Sequence, residues 1–121
     1  MVETRSGGKA LSRDTCRDRL ASNRRGYLAC TTGGLPAVVP VRLINRQGEL
    51  LLRCVSLAHR DRLAGQVVAL SIGRNVLPSY RGWTVTAHGR LGPLRPDGLL
   101  PLDIAHLEGV SHLRDHLGST S

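Results

Sequence analysis

Apolar positions recur with two different periods along this chain, and the change from one to the other divides it. Residues 1–10, with Gly7-Gly8 and charges of both signs, carry no hydrophobic period and read as a flexible tail. Ser12 then has the features of a helix N-cap. Asp14 sits at the positive end of the helix dipole, and Leu11 can clasp Cys16, with Leu20 one turn further on the same face. This helix is predicted to end between Asn23 and Gly26, with Gly26 in the left-handed conformation that closes a helix.

From Tyr27 the pattern becomes short β-branched and Leu-rich runs punctuated by turn residues, the signature of an antiparallel β core of five or six strands. Tyr27 to Thr32 leads through Gly33-Gly34 into Leu35 to Ile44, and Asn45-Arg46-Gln47-Gly48 turns the chain into Glu49 to Cys54. Pro36 and Pro40 cannot donate ladder hydrogen bonds, so the second strand is expected at an edge or a split of the sheet. Leu57 to Ala64 fits a helical crossover closed by Gly65. Gln66 to Ile72 reads as a nearly continuous apolar strand through the core. After a loop from Gly73 to Arg81, Gly82 to Leu91 alternates with Trp83, Val85, Ala87 and Leu91 on one face, and Gly89 marks a bulge. Pro93 to Pro101 is a turn-rich connection. Ile104, Leu107, Val110, Leu113 and Leu117 approach helical spacing and predict a C-terminal helix over 103–117, stopped by Gly118, with residues 119–121 frayed. One domain over residues 11–118 follows.

Composition narrows the class. Of 121 residues, 40% are hydrophobic and 21% charged, which suits a soluble globular domain and neither a disordered chain nor a membrane protein. The apolar runs are too short to span a bilayer, and Met1 to Ser12 lacks the apolar core of a secretion signal, so the cytoplasm is the expected compartment. Seventeen basic against nine acidic residues leave +8, and every basic residue but Lys9 is an arginine. Arginine grips phosphate or carboxylate oxygens in pairs, which favours an anionic partner. Nucleic acid is the weaker choice of anion, because Tyr27, Tyr80 and Trp83 are too few flat side chains to stack bases.

Cys16, Cys30 and Cys54 have no C-x-x-C spacing and an odd total, so they read as buried thiols in a reducing compartment. Glu108, His112 and His116 would share one face of a continuous helix and could ligate a divalent metal, but a solvated polar face is the better reading and no metal is expected. His88 and His106 read as ordinary strand and helix residues. No serine-hydrolase elbow, Walker loop or Rossmann fingerprint is present, so any chemistry must come from a cofactor.

The order of pieces is specific where no single piece is. Gly34-Leu35-Pro36-Ala37-Val38-Val39-Pro40-Val41 after a glycine turn, Arg53-Cys54 leading to a basic pair, Val67-Val68-Ala69-Leu70, and Arg81-Gly82-Trp83-Thr84-Val85 before Gly89-Arg90 together resemble the FMN-binding split barrels of the pyridoxamine 5'-phosphate oxidase-like family. The resemblance covers about Leu11 to Leu94. It implies a mainly β fold, a six-stranded antiparallel split β-barrel with an N-terminal helix, a short crossover helix and a C-terminal helix. It further implies a homodimer with FMN, or a related deazaflavin, in the groove between subunits, acting as an oxidoreductase on a small molecule.

In that family a basic pair holds the flavin phosphate, and here His59-Arg60 would take its place beside the start of the crossover helix. Val38, Val39, Pro40 and Val41 would pass along the ring edge with main-chain groups for its polar rim. Trp83 would be either a core anchor or an aromatic wall of the cleft. Cys54 and Ala58 stand where the family commonly carries hydroxyl donors, and a register slip would bring Ser56 or Arg62 to the phosphate instead. The alternative reading is a cofactor-free barrel that takes an anionic small ligand in the same groove.

Overall fold

The computed structural model describes residues 9–55, 60–76 and 81–113. Its elements are β1 (Lys9–Ala10), α1 (Arg13–Ser22), β2 (Arg25–Thr32), β3 (Leu35–Arg46), β4 (Glu49–Cys54), α2 (Arg60–Leu63), β5 (Val67–Val76), β6 (Arg81–Leu91) and β7 (Leu100–Leu113). The strands form one antiparallel sheet in the order β1-β7-β4-β3-β2-β5-β6, and β7 also pairs with β6. That second pairing closes six strands into a ring, with β1 added outside it. The ladder is thinnest where β4 meets β7, through only Leu51↔Pro101 and Leu52↔Leu100. This is the mainly β split barrel expected, with seven strands: the five delineated in the sequence are joined by β1, where Lys9–Ala10 pairs with Ser111 and Val110, and by β7, which was expected to be a helix.

Inward positions alternate along each strand, and Leu28, Leu52, Leu70, Val85, Ala87 and Leu100 fill the barrel. Among the described residues no polar or charged side chain is buried. Burial of Cys16 and Leu20 seats α1 against β6 and β7, and its first turn is capped by Ser12 Oγ, which accepts from the Thr15 N–H at 3.1 Å. Asn45 Nδ2 donates to the Leu20 carbonyl at 3.3 Å and fixes the other end. On α2, Leu63 is buried. The Gln66 side chain bonds both main-chain groups of Thr31 and the Arg62 carbonyl, tying the crossover to β2. No helix among the described residues is long and apolar enough to cross a membrane.

The predicted C-terminal helix is a strand. The β6–β7 register passes from His88↔His106 to Gly89↔Ile104, which leaves Ala105 without a partner and reverses which residues face inward. Leu100, Leu102 and Ile104 point to the core before this bulge, and Leu107 and Gly109 after it. Two period-two runs out of phase put Ile104 and Leu107 three apart, which imitates a helix. The bulge itself is where Gly89 led us to expect it.

Gly26 does not close α1. It lies buried inside β2, opposite Val41, where a β-carbon would stand 2.9 Å from Ile72 Cγ2 and from the Ser71 carbonyl oxygen. Strand β5 is also not uniformly apolar in its setting. Val68, Leu70 and Ile72 are buried while Val67 is 67% exposed, so it is half-buried like its neighbours, and it extends to Val76 into the stretch read as a loop. The proposed helix start at Leu57 and the tail at 119–121 lie outside the described residues.

Candidate functional site

Strand β3 has two halves with different neighbours. Its whole length to Arg42 pairs with β2, but β4 joins only from Val41 onward, so among the described residues positions 35–40 have an open flank with no paired strand. The Val55 N–H donates to the Pro40 carbonyl across that flank at 3.3 Å, and the Leu43 N–H donates to Arg24 on the opposite side. Main-chain groups alternate in direction along a strand, so the even residues 36, 38 and 40 face the flank and the odd ones bond β2. Both prolines therefore occupy places where an N–H would point into the open flank. Only Val38 presents a main-chain N–H and C=O together there. The split inferred from Pro36 and Pro40 is thus real, and it sits inside the sheet order rather than at its margin.

Alternation also sorts the side chains of the candidate residues. Val39 and Val41 face the core, while Val38, 67% exposed, and Pro40 face outward. Cys54 is buried as the cross-strand partner of Val41. Trp83 lies on the inward face of β6 and packs against the core, with the Arg19 guanidinium 4.8 Å from its ring centre. The structure thus packs it against the core beside Arg19 of α1. Arg60 opens the four-residue helix α2, and His59 lies outside the described residues.

Around Val38 the outer surface is apolar. Cross-strand pairing brings Val38 beside Ala29 and Ala69, and Pro40 beside Tyr27, which is 59% exposed. Val55 is also exposed at the margin of this face. Next to it a hollow of about 430 Å3 is lined by Arg25, Tyr27, Pro40, Arg42, Val55 and Ser71 among others. A larger hollow of about 890 Å3 lies between α1 and the β3–β4 turn, near Arg13, Arg17 and Leu50, and none of the sequence-predicted site residues lines it. We take the smaller one as the functional concavity, because it adjoins the open flank.

Three arginines in this region were not among the site residues expected from the sequence. The turn at Gly33-Gly34 sets Arg25 opposite Arg42, and the turn at Gln47-Gly48 sets Arg42 opposite Arg53. Counting outward from each predicted hairpin would have found them. The imagined helical metal face is absent, because Glu108 lies on a strand. Its carboxylate meets His106 Nε2 at 3.1 Å and His88 Nε2 at 3.7 Å, and the two histidines, expected on a strand and a helix, are cross-strand neighbours on β6 and β7. Among the described residues no group of three or more His, Cys, Asp or Glu is arranged to hold a metal ion.

The three cysteines are free and buried. Burial, and secondly the Glu108 charge, pushes the Cys16 thiol up from its ordinary value, and burial alone raises Cys30. Neither is a poised nucleophile.

A family model described as pyridoxamine 5'-phosphate oxidase matches residues 12–102. Among solved structures, the FAD binding protein from Mycobacterium smegmatis superposes with a TM-score of 0.72 at 17% identity, covering 86% of this chain and 97% of that one. An FAD-binding protein from Mesorhizobium loti gives a TM-score of 0.67 at 18% identity over 86% and 97% of the two chains. No curated protein matches the sequence significantly.

Proposed function

The chain belongs to the pyridoxamine 5'-phosphate oxidase family, and from that premise we propose that it is a flavin-binding split barrel that works as a homodimeric, cytoplasmic oxidoreductase on a small molecule. The open flank of β3 carries this reading. A flavin ring needs a flat apolar bed and main-chain partners along its polar rim. Val38 offers both an N–H and a C=O there, with Pro40 and its own side chain as the bed. FMN is the expected form, with FAD or a deazaflavin fitting the same ring site. His59 and Arg60 are the groups assigned to its phosphate.

When bound, the flavin supplies hydride or electron transfer. The protein's part is to bind and orient the ring and to exclude water from it. With no buried polar group among the described residues, that shielding has to come from outside the barrel. A second copy laid over Tyr27, Val38 and Val55 would supply it and cover an exposed apolar face.

The purified protein should show flavin absorbance, or take up FMN or FAD on titration, and light scattering should give twice the chain mass. A second reading, the cofactor-free barrel with an anionic ligand, is favoured by the burial of Cys54, whose thiol cannot replace a hydroxyl donor at the ligand. Colourless protein that ignores both flavins selects that reading.

A further inference from the structure

Arg25, Arg42 and Arg53 stand side by side on three adjacent strands, each pair in direct cross-strand register. Directly opposed residues project from the same face, and all three are exposed. Three guanidiniums therefore share one outward strip two strand spacings wide, about 10 Å.

Like charges directly opposite one another destabilise a sheet. Nearby cations on the same surface are neutralised: Arg46 meets Asp97 at 3.4 Å, and Arg95 grips both carboxylate oxygens of Glu49. The row has no such relief. Among the described residues, Arg25, Arg42 and Arg53 make no ion pair and no side-chain hydrogen bond. Arg25 and Arg42 line the hollow of about 430 Å3, and the next outward pair along the same two strands is Tyr27 and Pro40, a flat apolar surface beside the charges.

We propose that the Arg25–Arg42–Arg53 row binds a diphosphate group whose ligand lays a flat apolar body against Tyr27. Guanidinium forks pair with phosphoryl oxygens two at a time, so a single phosphate engages part of the row and two linked phosphates engage its length. The diphosphate has two possible sources: a dinucleotide flavin, whose phosphates would then lie on the row in place of the assignment to His59 and Arg60, or a separate substrate bound next to FMN.

Calorimetric titration of the protein with inorganic pyrophosphate, without flavin or divalent cations, tests the row whether or not the flavin reading holds. Pyrophosphate should bind at least about tenfold more tightly than inorganic phosphate, and Arg42→Gln should weaken it by at least about tenfold. Arg13→Gln, on α1, should change nothing. The melting temperature of Arg42→Gln should equal or exceed that of the parent, since the central repulsion is gone. If Arg42→Gln weakens FAD but not FMN, the diphosphate is the flavin's. If it spares both flavins and pyrophosphate still binds the flavin-loaded protein, the diphosphate is a substrate's. Equal binding of phosphate and pyrophosphate, or unchanged pyrophosphate binding by Arg42→Gln, would overturn the proposal. So would dissociation of an oligomer by Arg42→Gln, which would assign the row to a contact between copies.

Discussion

Gly109 on β7 lies so close to Cys16 on α1 that a β-carbon at Gly109 would stand 2.7 Å from the Cys16 sulfur, with Leu11 Cδ1 and Val85 Cγ2 each at 3.1 Å. The Leu11 N–H donates to the Gly109 carbonyl at 2.9 Å, so helix and strand are held at this distance by the main chain as well. A glycine that would weaken a helix is here the floor on which α1 rests. Gly109→Ala should cost about 1–3 kcal/mol by overpacking, read from denaturant unfolding. An alanine variant as stable as the parent would mean that α1 sits further from β7.

Trp83 should behave as a packing residue. Trp83→Ala is expected to cost about 3 kcal/mol, and Arg19→Ala about 0.5–1 kcal/mol with greater acrylamide quenching of Trp83. Flavin affinity should stay within about twofold in Arg19→Ala, well under the tenfold that 1.4 kcal/mol would give. A large loss of flavin affinity there would place Trp83 in the ligand cleft instead.

Val38→Pro offers a selective test of the open flank. The lost N–H points away from β2, so the ladder stays intact and the melting temperature should fall little, while flavin binding should weaken by about 3–10-fold, the scale of one net hydrogen bond. An unfolded variant would show that the Val38 amide bonds within the barrel.

The raised thiols of Cys16 and Cys30 should be unreactive toward an aromatic disulfide reagent at pH 7 in the native protein and react fully in denaturant. Rapid labelling without denaturant would contradict the burial of all three cysteines.

Asp97 anchors the loop between β6 and β7. Burial alone would raise its carboxyl, but the Leu99 N–H and the Arg46 guanidinium more than offset this and hold it below the usual carboxylate range. Its contribution is thus complete above the ordinary carboxylate value and lost as pH falls through the lowered folded value. The protection factor of the Leu99 amide, the slowing of its exchange relative to the unfolded chain at the same pH, should fall in acid in the parent, and Asp97→Asn should remove that change.

Local chemistry made much of this protein legible in one dimension. Ser12 and Asn23 bracket α1 because capping depends on neighbours within four residues. Gly33-Gly34 and Gln47-Gly48 announce hairpins because their backbones take positive φ. The proline spacing in β3 located the open flank, since a missing N–H is a property of the residue itself. Other features depended on partners far along the chain. The bulge at Ala105 exists only because β7 must match β6, and it disguised a strand as a helix. The inward turn of Cys54 and Trp83, and the meeting of Arg25, Arg42 and Arg53, follow from register and from which sheet face closes into the barrel. A residue's type says what it can bond or bury. Only the pairing of distant strands decides which side it faces and what stands opposite.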